Sequence, residues 1–540
     1  MSPTQLLAYF DRIAEAPGAV PRLRRFIREL AVRGKLVEQN VEEQPRTLPS
    51  KRQPAHEGPF LLPDSWSWVS VRDVSAARLG KMLDKARNRG LPRRYLRNVN
   101  VRWFDFDLSS VFEMPFEKAE LEEFSLRTGD VLVCEGGEPG RGAVWDERER
   151  DIYFQKAIHR VRFEKIVDPH FFVTTLRESF DSGRLATYYT GVGIKHLTGR
   201  GLASFSFPLA PLDEQHRIVA KVDELMALCD RLEAAQAERD RRRDRALLVA
   251  IRHAADSAGT NGRPLVFPRR ITELVTRPVH VRAVQEAIRS LAVRGKLVNQ
   301  EVSECADQHQ LQVTALDLDG RPRGAQNRLP YFQVPPTWRW GSVDVVSQAR
   351  LGKMLDRARN KGQPKRYLRN VNVRWFDFHL DDVLEMGFDE TELEEFALRA
   401  GDVLVCEGGE PGRAAVWDGR ETDIYFQKAI HRIRFDGSVD PHFFVMALRE
   451  SVDSGRLASY YTGVTIKHLT GRGLASFTFP LPPIAEQRRI VATVDQLMRI
   501  SRNLEGQVSR ADSTSEQLLK AVLHIALDPS AQADEPVAGA

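Results

Sequence analysis

The sequence is poor in cysteine and contains no long apolar run. Its 540 residues include four cysteines, and no two of them form a Cys-x-x-Cys pair. Four scattered thiols do not make a disulfide framework, and the missing pair argues against a structural zinc site. No apolar stretch approaches the roughly 20 residues of a membrane helix, and the mean hydropathy is -0.37. The N-terminus lacks the basic and apolar segments of a signal peptide, so we expect a cytoplasmic protein without a membrane segment.

Catalytic and cofactor motifs are also missing. The chain has no GxxxxGK(S/T) phosphate loop, no HExxH and no GxSxG. The glycine-rich Gly136–Gly140 lacks the Lys-Ser/Thr pair that engages phosphate, so we expect a tight turn between two strands. Asp168-Pro-His-Phe lacks the second proline of the amino-methyltransferase motif and instead predicts a helix cap followed by proline. For His159 and His431, a hydrogen-bonded packing role is favoured over catalysis. We therefore expect neither a catalytic site nor a bound cofactor or metal.

The chain is a tandem duplication of whole domains. Tyr95–Phe106 returns unchanged as Tyr367–Phe378. The matching register runs without a gap through Trp66–Leu225 and Trp338–Leu497, far beyond the 20–50-residue period of a solenoid. A shorter element, Leu-Ala-Val-Arg-Gly-Lys-Leu-Val, precedes each copy.

Each copy begins with a globular part. Short alternating apolar segments, punctuated by glycine and proline, predict strands at Asp130–Cys134, Ala143–Trp145 and Ile158–Phe163. Pro169–Leu185 predicts a helix, because its large apolar residues recur at helical spacing. We therefore expect an α+β globule in each copy.

A long helix follows each globular part. Apolar residues recur at alternating spacings of four and three, which is typical of a coiled coil. The alternative is an amphipathic helix packed on its own globule, which would need a broader apolar stripe. The two helices run past about forty residues, long for a globular helix, and this favours pairing with each other, most simply antiparallel. The positions expected to pair are Ile218, Val222, Leu225, Leu232, Ile490, Val494, Leu497 and Leu504.

Positive charge is concentrated in one segment of each copy. Residues 78–102 hold nine basic side chains against Asp84 alone, although the whole chain has 79 basic and 74 acidic residues. Basic side chains interleaved with asparagine and aromatic residues are typical of a surface that contacts phosphates and base edges. The patch Lys195–Arg200 has the same character, and an anionic protein is the alternative partner. The expected nucleic-acid contacts are Lys81, Arg87, Asn88, Arg97, Asn98, Asn100, Arg102, Lys195, Arg200, Lys353, Arg359, Asn360, Arg369, Asn370, Asn372, Arg374, Lys467 and Arg472.

Together these features resemble the specificity (S) subunit of type I restriction-modification systems. The resemblance is carried by Gly129–Arg141, by the starts of the long helices at Phe207–Val219 and Phe479–Val491, and by the short element before each copy. It implies two repeated α/β target-recognition domains, each followed by a long helix, with the two helices pairing as an antiparallel coiled coil. It further implies a non-catalytic subunit that recognises a bipartite site on double-stranded DNA.

The resemblance also implies partners and domain boundaries. The partners would be two copies of an adenine-N6 methyltransferase subunit, which carries S-adenosylmethionine, and a restriction/translocase subunit that uses ATP and magnesium. The expected divisions are 1–62, an N-terminal helical segment and linker; 63–208, the first recognition domain; 209–257, the central spacer helix; 258–335, a second conserved segment and linker; 336–480, the second recognition domain; 481–528, the C-terminal spacer helix; and 529–540, a disordered tail.

The chain departs from the family pattern in one respect. Family members usually carry two dissimilar recognition domains, whereas these two are near copies. Antiparallel spacer helices would relate the domains by an approximate two-fold axis, which predicts an interrupted palindrome as the target. An asymmetric target would instead assign base choice to the few differing positions, such as Asp107/His379, Ser109/Asp381 and Gly193/Thr465.

Two other functions stay open at this point. One is a single-chain DNA methyltransferase or nuclease with unrecognised motifs. The other is a coiled-coil adaptor that binds acidic proteins. Catalysis by the isolated chain would favour the first, and a missing salt-dependent affinity for DNA would favour the second.

Overall fold

The structure is a computed structural model that describes residues 16–40, 42–43, 58–84, 88–257, 269–301, 331–356 and 362–527. The chain divides into two compact units. Unit 1 comprises residues 1–239 and 512–540, and unit 2 comprises residues 240–511. Within the described ranges, no helix combines the length and the apolar content that crossing a membrane requires.

Unit 1 carries the first copy of the repeat. Its strands are β1 (Ser67–Ser70), β2 (Ser75–Leu79), β3 (Leu91–Leu96), β4 (Phe112–Phe116), β5 (Val131–Cys134), β6 (Gly142–Val144), β7 (Ile152–Phe154), β8 (Ile158–Phe163) and β9 (Ser206–Leu209). Its helices are α1 (Ala19–Val32), α2 (Val71–Val74), α3 (Lys118–Phe124), α4 (Pro169–Asp181), α5 (Gly199–Ser204) and the first part of α6 (Leu212–Ser257), with 3-10 helices at Asn98–Asn100 and Arg184–Tyr188.

Unit 2 repeats these elements. Its strands are β10 (Arg339–Ser342), β11 (Ser347–Leu351), β12 (Gln363–Leu368), β13 (Val373–Arg374), β14 (Asp377–Phe378), β15 (Leu384–Phe388), β16 (Val403–Cys406), β17 (Ala414–Val416), β18 (Ile424–Phe426), β19 (Ile430–Phe435) and β20 (Thr478–Leu481). Its helices are α7 (Arg269–Leu274), α8 (Pro278–Val293), α9 (Val343–Val346), α10 (Glu390–Phe396), α11 (Pro441–Asp453), α12 (Gly471–Ala475) and most of α13 (Ile484–Leu527), with 3-10 helices at Asn370–Asn372 and Arg456–Tyr460.

The first globular part is built around a four-stranded antiparallel sheet in the order β2-β8-β5-β6. A three-stranded sheet, β4-β3-β7, accompanies it, and its β3 and β7 are parallel. All four residues of β5 are buried, because the strand lies between two cores. Val131 and Val133 belong to the core that contains α4. Leu132 and Cys134 belong to the core of the three-stranded sheet, as alternation along a strand requires.

The predicted elements are confirmed, with strand boundaries shifted by one residue and the end of the helix by four. The three predicted strands correspond to β5, β6 and β8, and the glycine-rich turn joins β5 to β6. Asp168 caps α4 as expected, since its Oδ1 accepts from the backbone N–H groups of His170 at 2.8 Å and Phe171 at 3.1 Å. The helix ends at Asp181 rather than Leu185, because Gly183 adopts φ 80°, a left-handed conformation that terminates helices.

The long helices are as expected in length, with 46 residues in α6 and 44 in α13. Each helix contributes to both units: α6 begins in unit 1 and ends in unit 2, and α13 does the reverse. In unit 2, Leu247 of α6 and Val508 of α13 share one apolar core. In unit 1, Leu519 and Val522 of α13 pack with Ala19 at the start of α1. The two helices therefore pass from one unit to the other in opposite senses along the chain, as the predicted antiparallel arrangement requires.

The eight predicted pairing positions are buried or half-buried. Ile218, Val222, Leu225 and Leu232 lie in a cluster with Val20, Ile27 and Ala31 of α1 and with Trp66 and Phe171 of the globular part. Their counterparts in α13 share a core with α8. The apolar stripe is thus broader than the heptad pattern indicated, because α1 and α8, which end in the short element before each copy, pack against the starts of the long helices. Whether these positions pair the two long helices directly stays a prediction.

Each long helix is fixed to its own globular part by a buried Glu-Gln pair. Glu214 accepts hydrogen bonds from Trp66 Nε1 at 3.0 Å and Gln39 Nε2 at 2.5 Å. Gln215 donates to the carbonyls of Ile166 at 2.9 Å and Ala210 at 2.8 Å, and accepts from the Asp168 N–H at 2.8 Å. Glu486 and Gln487 repeat this arrangement in the second copy. Because these bonds join the first turn of the helix to Trp66 and to the backbone of the globular part, the orientation of the helix start is set by the domain core.

Candidate nucleic-acid interface

The basic segment 78–102 runs along β2, β3 and the following 3-10 helix, and the fold neutralises part of its charge. Lys81 is 6% exposed, forms an ion pair with Glu120 of α3 and donates to the Pro115 carbonyl at 2.9 Å. Lys353 is buried in the same way against Glu392. Arg94 pairs with Glu149. The two lysines therefore have an internal role here, and we leave them out of the proposed contact surface.

Asn100 is also internal, and it shapes the segment. Its Oδ1 accepts from the Arg97 N–H at 2.9 Å, and its Nδ2 donates to the carbonyls of Asp107 at 2.9 Å and Ser110 at 3.0 Å. Asn372 makes the equivalent three bonds in the second copy. These buried amides hold the backbone that carries the neighbouring side chains, so we leave them out of the contact surface as well.

Arg97 and Arg369 lie at the edge of this segment, half-buried. Arg97 Nη2 donates to the Ser110 carbonyl at 3.0 Å, and its guanidinium lies 3.7 Å from the centre of the Phe112 ring. Arg369 Nη2 donates to the Asp382 carbonyl at 2.8 Å and to its carboxylate at 2.5 Å. Each guanidinium is thus positioned by the protein while keeping further N–H donors.

The glycine-rich turn holds the segment in place. Asn98 Nδ2 donates to the Gly136 carbonyl at 3.3 Å, and Arg141 Nη2 donates to the Asn98 carbonyl at 2.8 Å. Glu138 bridges further, accepting from Arg141 Nη1 at 2.9 Å and from Trp103 Nε1 at 2.8 Å. Glu138, Arg141 and Trp103 are positioning residues that were not predicted from the sequence. Their unchanged recurrence in both copies was the available indication.

The second basic patch, Lys195–Arg200, and the residues just before it also contact the Gly136–Arg141 turn. Tyr189 donates its hydroxyl proton to the Pro139 carbonyl at 2.7 Å. Burial raises the pKa of Tyr189 to about 12, so the hydroxyl stays a donor. A Cβ on Gly136 would lie 3.1 Å from His196 Nδ1, which explains a glycine at this close approach. The two predicted basic regions, far apart in sequence, are therefore joined through Gly136–Arg141.

Lys195 and Arg200 are exposed in this patch, as are Lys467 and Arg472 in the second copy. Behind them, His159 is buried and its Nε2 lies 3.0 Å from the Leu197 carbonyl. Burial lowers the pKa of His159, so the imidazole is neutral and donates to that carbonyl. The packing role predicted for this histidine is confirmed.

The second copy repeats the arrangement around the turn. Asn370, Glu410, Arg413, Trp375 and Tyr461 make the equivalent bonds.

The remaining predicted contacts divide between exposed, internal and undescribed positions. Arg102 is exposed and pairs with Asp107 at 3.1 Å. Arg374 is also exposed, and the position equivalent to Asp107 is His379 in the second copy. Asn88 Nδ2 donates to the Met82 carbonyl at 3.1 Å. Arg87, Arg359 and Asn360 lie outside the described residues.

A sequence profile of the family "Type I restriction modification DNA specificity domain" matches residues 63–239 and 383–510, more than half of the chain. The chain belongs to this family. The matched ranges take in the first globular part, the second globular part from residue 383 onward, and much of both long helices. They include the glycine-rich turn and the exposed patch of both copies.

Individual relatives extend the similarity along most of the chain. The EcoAI type I restriction enzyme specificity subunit of Escherichia coli is 22% identical, with 94% of each chain covered. The EcoEI specificity subunit of the same organism is 20% identical, again over 94% of each chain. A solved structure described as the basis of complex assembly and conformational transition of the type I R-M system covers 87% of this chain and 99% of its own, at 19% identity and a TM-score of 0.50. That last likeness concerns the fold alone.

Proposed function

We propose that this chain is the DNA sequence-recognition subunit of a type I restriction-modification complex, and that it is not itself catalytic. The observation that carries the proposal is the repeated edge formed by residues 97–102, the Gly136–Arg141 turn and the 190–200 segment. In both copies this edge presents exposed cationic groups, beside half-buried arginine and asparagine side chains, on a backbone fixed by buried hydrogen bonds. Cationic groups bind phosphates, while positioned amides and apolar groups distinguish bases.

The proposal includes the form of the target and the partners. The two near-identical edges would recognise inverted copies of one short sequence, separated by a nonspecific spacer. Two adenine-N6 methyltransferase subunits carrying S-adenosylmethionine, and a restriction/translocase subunit using ATP and magnesium, would perform the chemistry. Sequencing of methylated sites in the source genome tests the form of the target directly, and an asymmetric bipartite motif would contradict the palindrome.

The first experiment tests the absence of catalysis. The full chain, incubated with DNA and either S-adenosylmethionine or magnesium, should neither methylate nor cut. Addition of the methyltransferase subunit should produce adenine methylation at discrete sites. Activity of the chain alone that survives repurification would favour the single-chain enzyme instead.

The second experiment tests the proposed edge. Lys195→Ala and Arg200→Ala, combined with Lys467→Ala and Arg472→Ala, should weaken DNA binding across all sequences. Each lost phosphate contact should reduce the slope of log affinity against log salt by about 1. The matched control replaces Arg231 and Arg502, exposed arginines on the long helices, and should leave the slope unchanged. If the slope of log affinity against log salt is the same in both variants, the result would favour the coiled-coil adaptor that binds acidic proteins.

The residues at the edge of the 3-10 helices give a third test. Alanine at Arg97, Asn98, Arg369 and Asn370 should impair DNA recognition without unfolding the protein. Wild-type affinity and site choice after this quadruple substitution would remove the segment from the recognition surface.

A further inference from the structure

We propose that the loop Thr190–His196, with Thr462–His468 in the second copy, enters the major groove of DNA and contacts thymine methyl groups. The contacting side chains would be Val192 and Ile194, and Val464 and Ile466. This inference rests on the proposed DNA recognition and names the element that would carry it.

The apolar side chains of this loop have no role in the fold. Val192 is 101% exposed and Ile194 76%, and in the second copy Val464 is 96% and Ile466 67% exposed. Two branched apolar side chains that are at least two-thirds exposed at the same place in both copies contribute little burial energy to the fold. Such groups mark a surface that becomes covered on binding.

The base of the loop is fixed by hydrogen bonds, so Val192 and Ile194 are positioned before DNA binds. Thr190 and His196 exchange two backbone hydrogen bonds, each 2.9 Å long. Tyr189, immediately before the loop, is tied to the Gly136–Arg141 turn through the Pro139 carbonyl, 2.7 Å from its hydroxyl. A loop that is ordered before binding loses less conformational entropy when it docks.

The positive charge beside the loop favours DNA over a protein as its binding partner. Lys195 lies on the loop itself and Arg200 follows it, and both are exposed. Glu138, the acid of the neighbouring turn, is already engaged by Arg141 and Trp103. An apolar tip with a cationic border fits a groove lined by phosphates better than an apolar protein surface. In DNA the apolar group that a valine or isoleucine can contact is the thymine methyl, which lies in the major groove.

The loop also contains one of the few differences between the copies. It reads Thr-Gly-Val-Gly-Ile-Lys-His in the first copy and Thr-Gly-Val-Thr-Ile-Lys-His in the second, so Gly193 and Thr465 are its only mismatch. A Cβ added at Gly193 would meet nothing within 4 Å. Gly193→Thr therefore makes the loops identical without disturbing the fold, and any change in site choice belongs to the contact with DNA.

The test uses the full chain and removes the methyl from the DNA as well as the side chain from the protein. Selection from random duplexes first defines the preferred site. Deoxyuridine then replaces each thymine in turn. With the wild-type chain, we expect one such replacement in each half-site to weaken binding by about fivefold or more. The variant with serine at Val192, Ile194, Val464 and Ile466 should bind the thymine site more weakly and show no deoxyuridine effect.

A matched control tests whether the effect depends on the loop or on any exposed apolar side chain. Leu61 is 96% exposed outside the loop, and Leu61→Ser should keep the full deoxyuridine effect. Failure of the wild-type chain to select any sequence would overturn the proposed function and this inference with it. Sequence selection without deoxyuridine sensitivity, or with sensitivity retained by the quadruple variant, would overturn the loop contact alone. A quadruple variant that keeps its site choice but loses the methyltransferase would mark the loop as a protein contact and also overturn it.

Discussion

The two recognition domains share their buried hydrogen bonds but differ in one exposed segment, residues 107–110 and 379–382, which we call the rim. Asn100 and Asn372 make the same three hydrogen bonds, and Gln215 and Gln487 do likewise. The rims differ at 107–110, which reads Asp-Leu-Ser-Ser, against His-Leu-Asp-Asp at 379–382. Arg102 therefore has a carboxylate partner in the first domain, while the acids of the second lie at Asp381 and Asp382. The duplication has been kept where hydrogen bonds fix the backbone and has changed beside the proposed contact surface.

The shared interior predicts equal losses in the two domains. Gln215→Ala and Gln487→Ala should each leave two buried carbonyls and one buried N–H unpaired, which lowers the stability of the affected unit by about 3 kcal/mol. Chemical denaturation followed by hydrogen exchange at the start of each long helix measures this. Gln507→Ala, at an exposed position of α13, is the control and should change little. A large loss in only one unit would show that the interiors are not equivalent.

The differing rims predict an effect on site choice. Asp107→His with Ser109→Asp and Ser110→Asp gives the first domain the rim of the second. If the two half-sites differ, contrary to the proposed palindrome, and the rims control base choice, the preference of the first half-site should shift towards that of the second by about tenfold. Stability should hardly change, because exposed ion pairs such as Arg102–Asp107 contribute little. Selection from random duplexes measures the shift. An unchanged asymmetric site would assign the difference between half-sites to other positions.

Single-residue exchange in the loop is expected to have a smaller effect. If the half-sites differ, Gly193→Thr should change the preference at one base pair of the first half-site by a few-fold and leave the rest of the site intact. The reverse exchange, Thr465→Gly, should act on the other half-site. Equal effects of either exchange on both half-sites would contradict the assignment of one loop to each.

The smallest expected effect concerns pH. Burial raises the pKa of the Glu214 carboxyl above its ordinary value. The folded protein therefore binds this proton more readily than the unfolded chain, and the resulting stability is present at low pH and lost as pH rises through the folded-state pKa. Between about pH 7 and pH 5, wild-type unit 1 should gain less than about 1 kcal/mol relative to Glu214→Gln. Denaturation curves at the two pH values measure this, and an opposite sign would contradict the stated environment of Glu214.

Much of the fold could be predicted from the sequence because its determinants are local. The apolar run of β5, the Asp-Pro cap of α4 and the length of the helices are all properties of neighbouring residues. The charge of the basic segment was overestimated for the opposite reason. Lys81 is neutralised by Glu120 and Arg94 by Glu149, acids that are remote along the chain and that folding brings close. For the same reason the joining of residues 97–102 to Lys195–Arg200 could not be foreseen, since it depends on the Gly136–Arg141 turn.

The position of β5 between two cores limits how these domains can diverge. Insertion of one residue at the start of β5, just before Val131, would turn the valines towards the three-stranded sheet and Leu132 and Cys134 towards α4. Every later side chain of the strand would then meet a cavity of the wrong shape. Insertions should therefore be tolerated in the loops at the rim and rejected in the strand. New DNA specificities are expected to arise by changes in loop length and composition, with the length of β5 held constant.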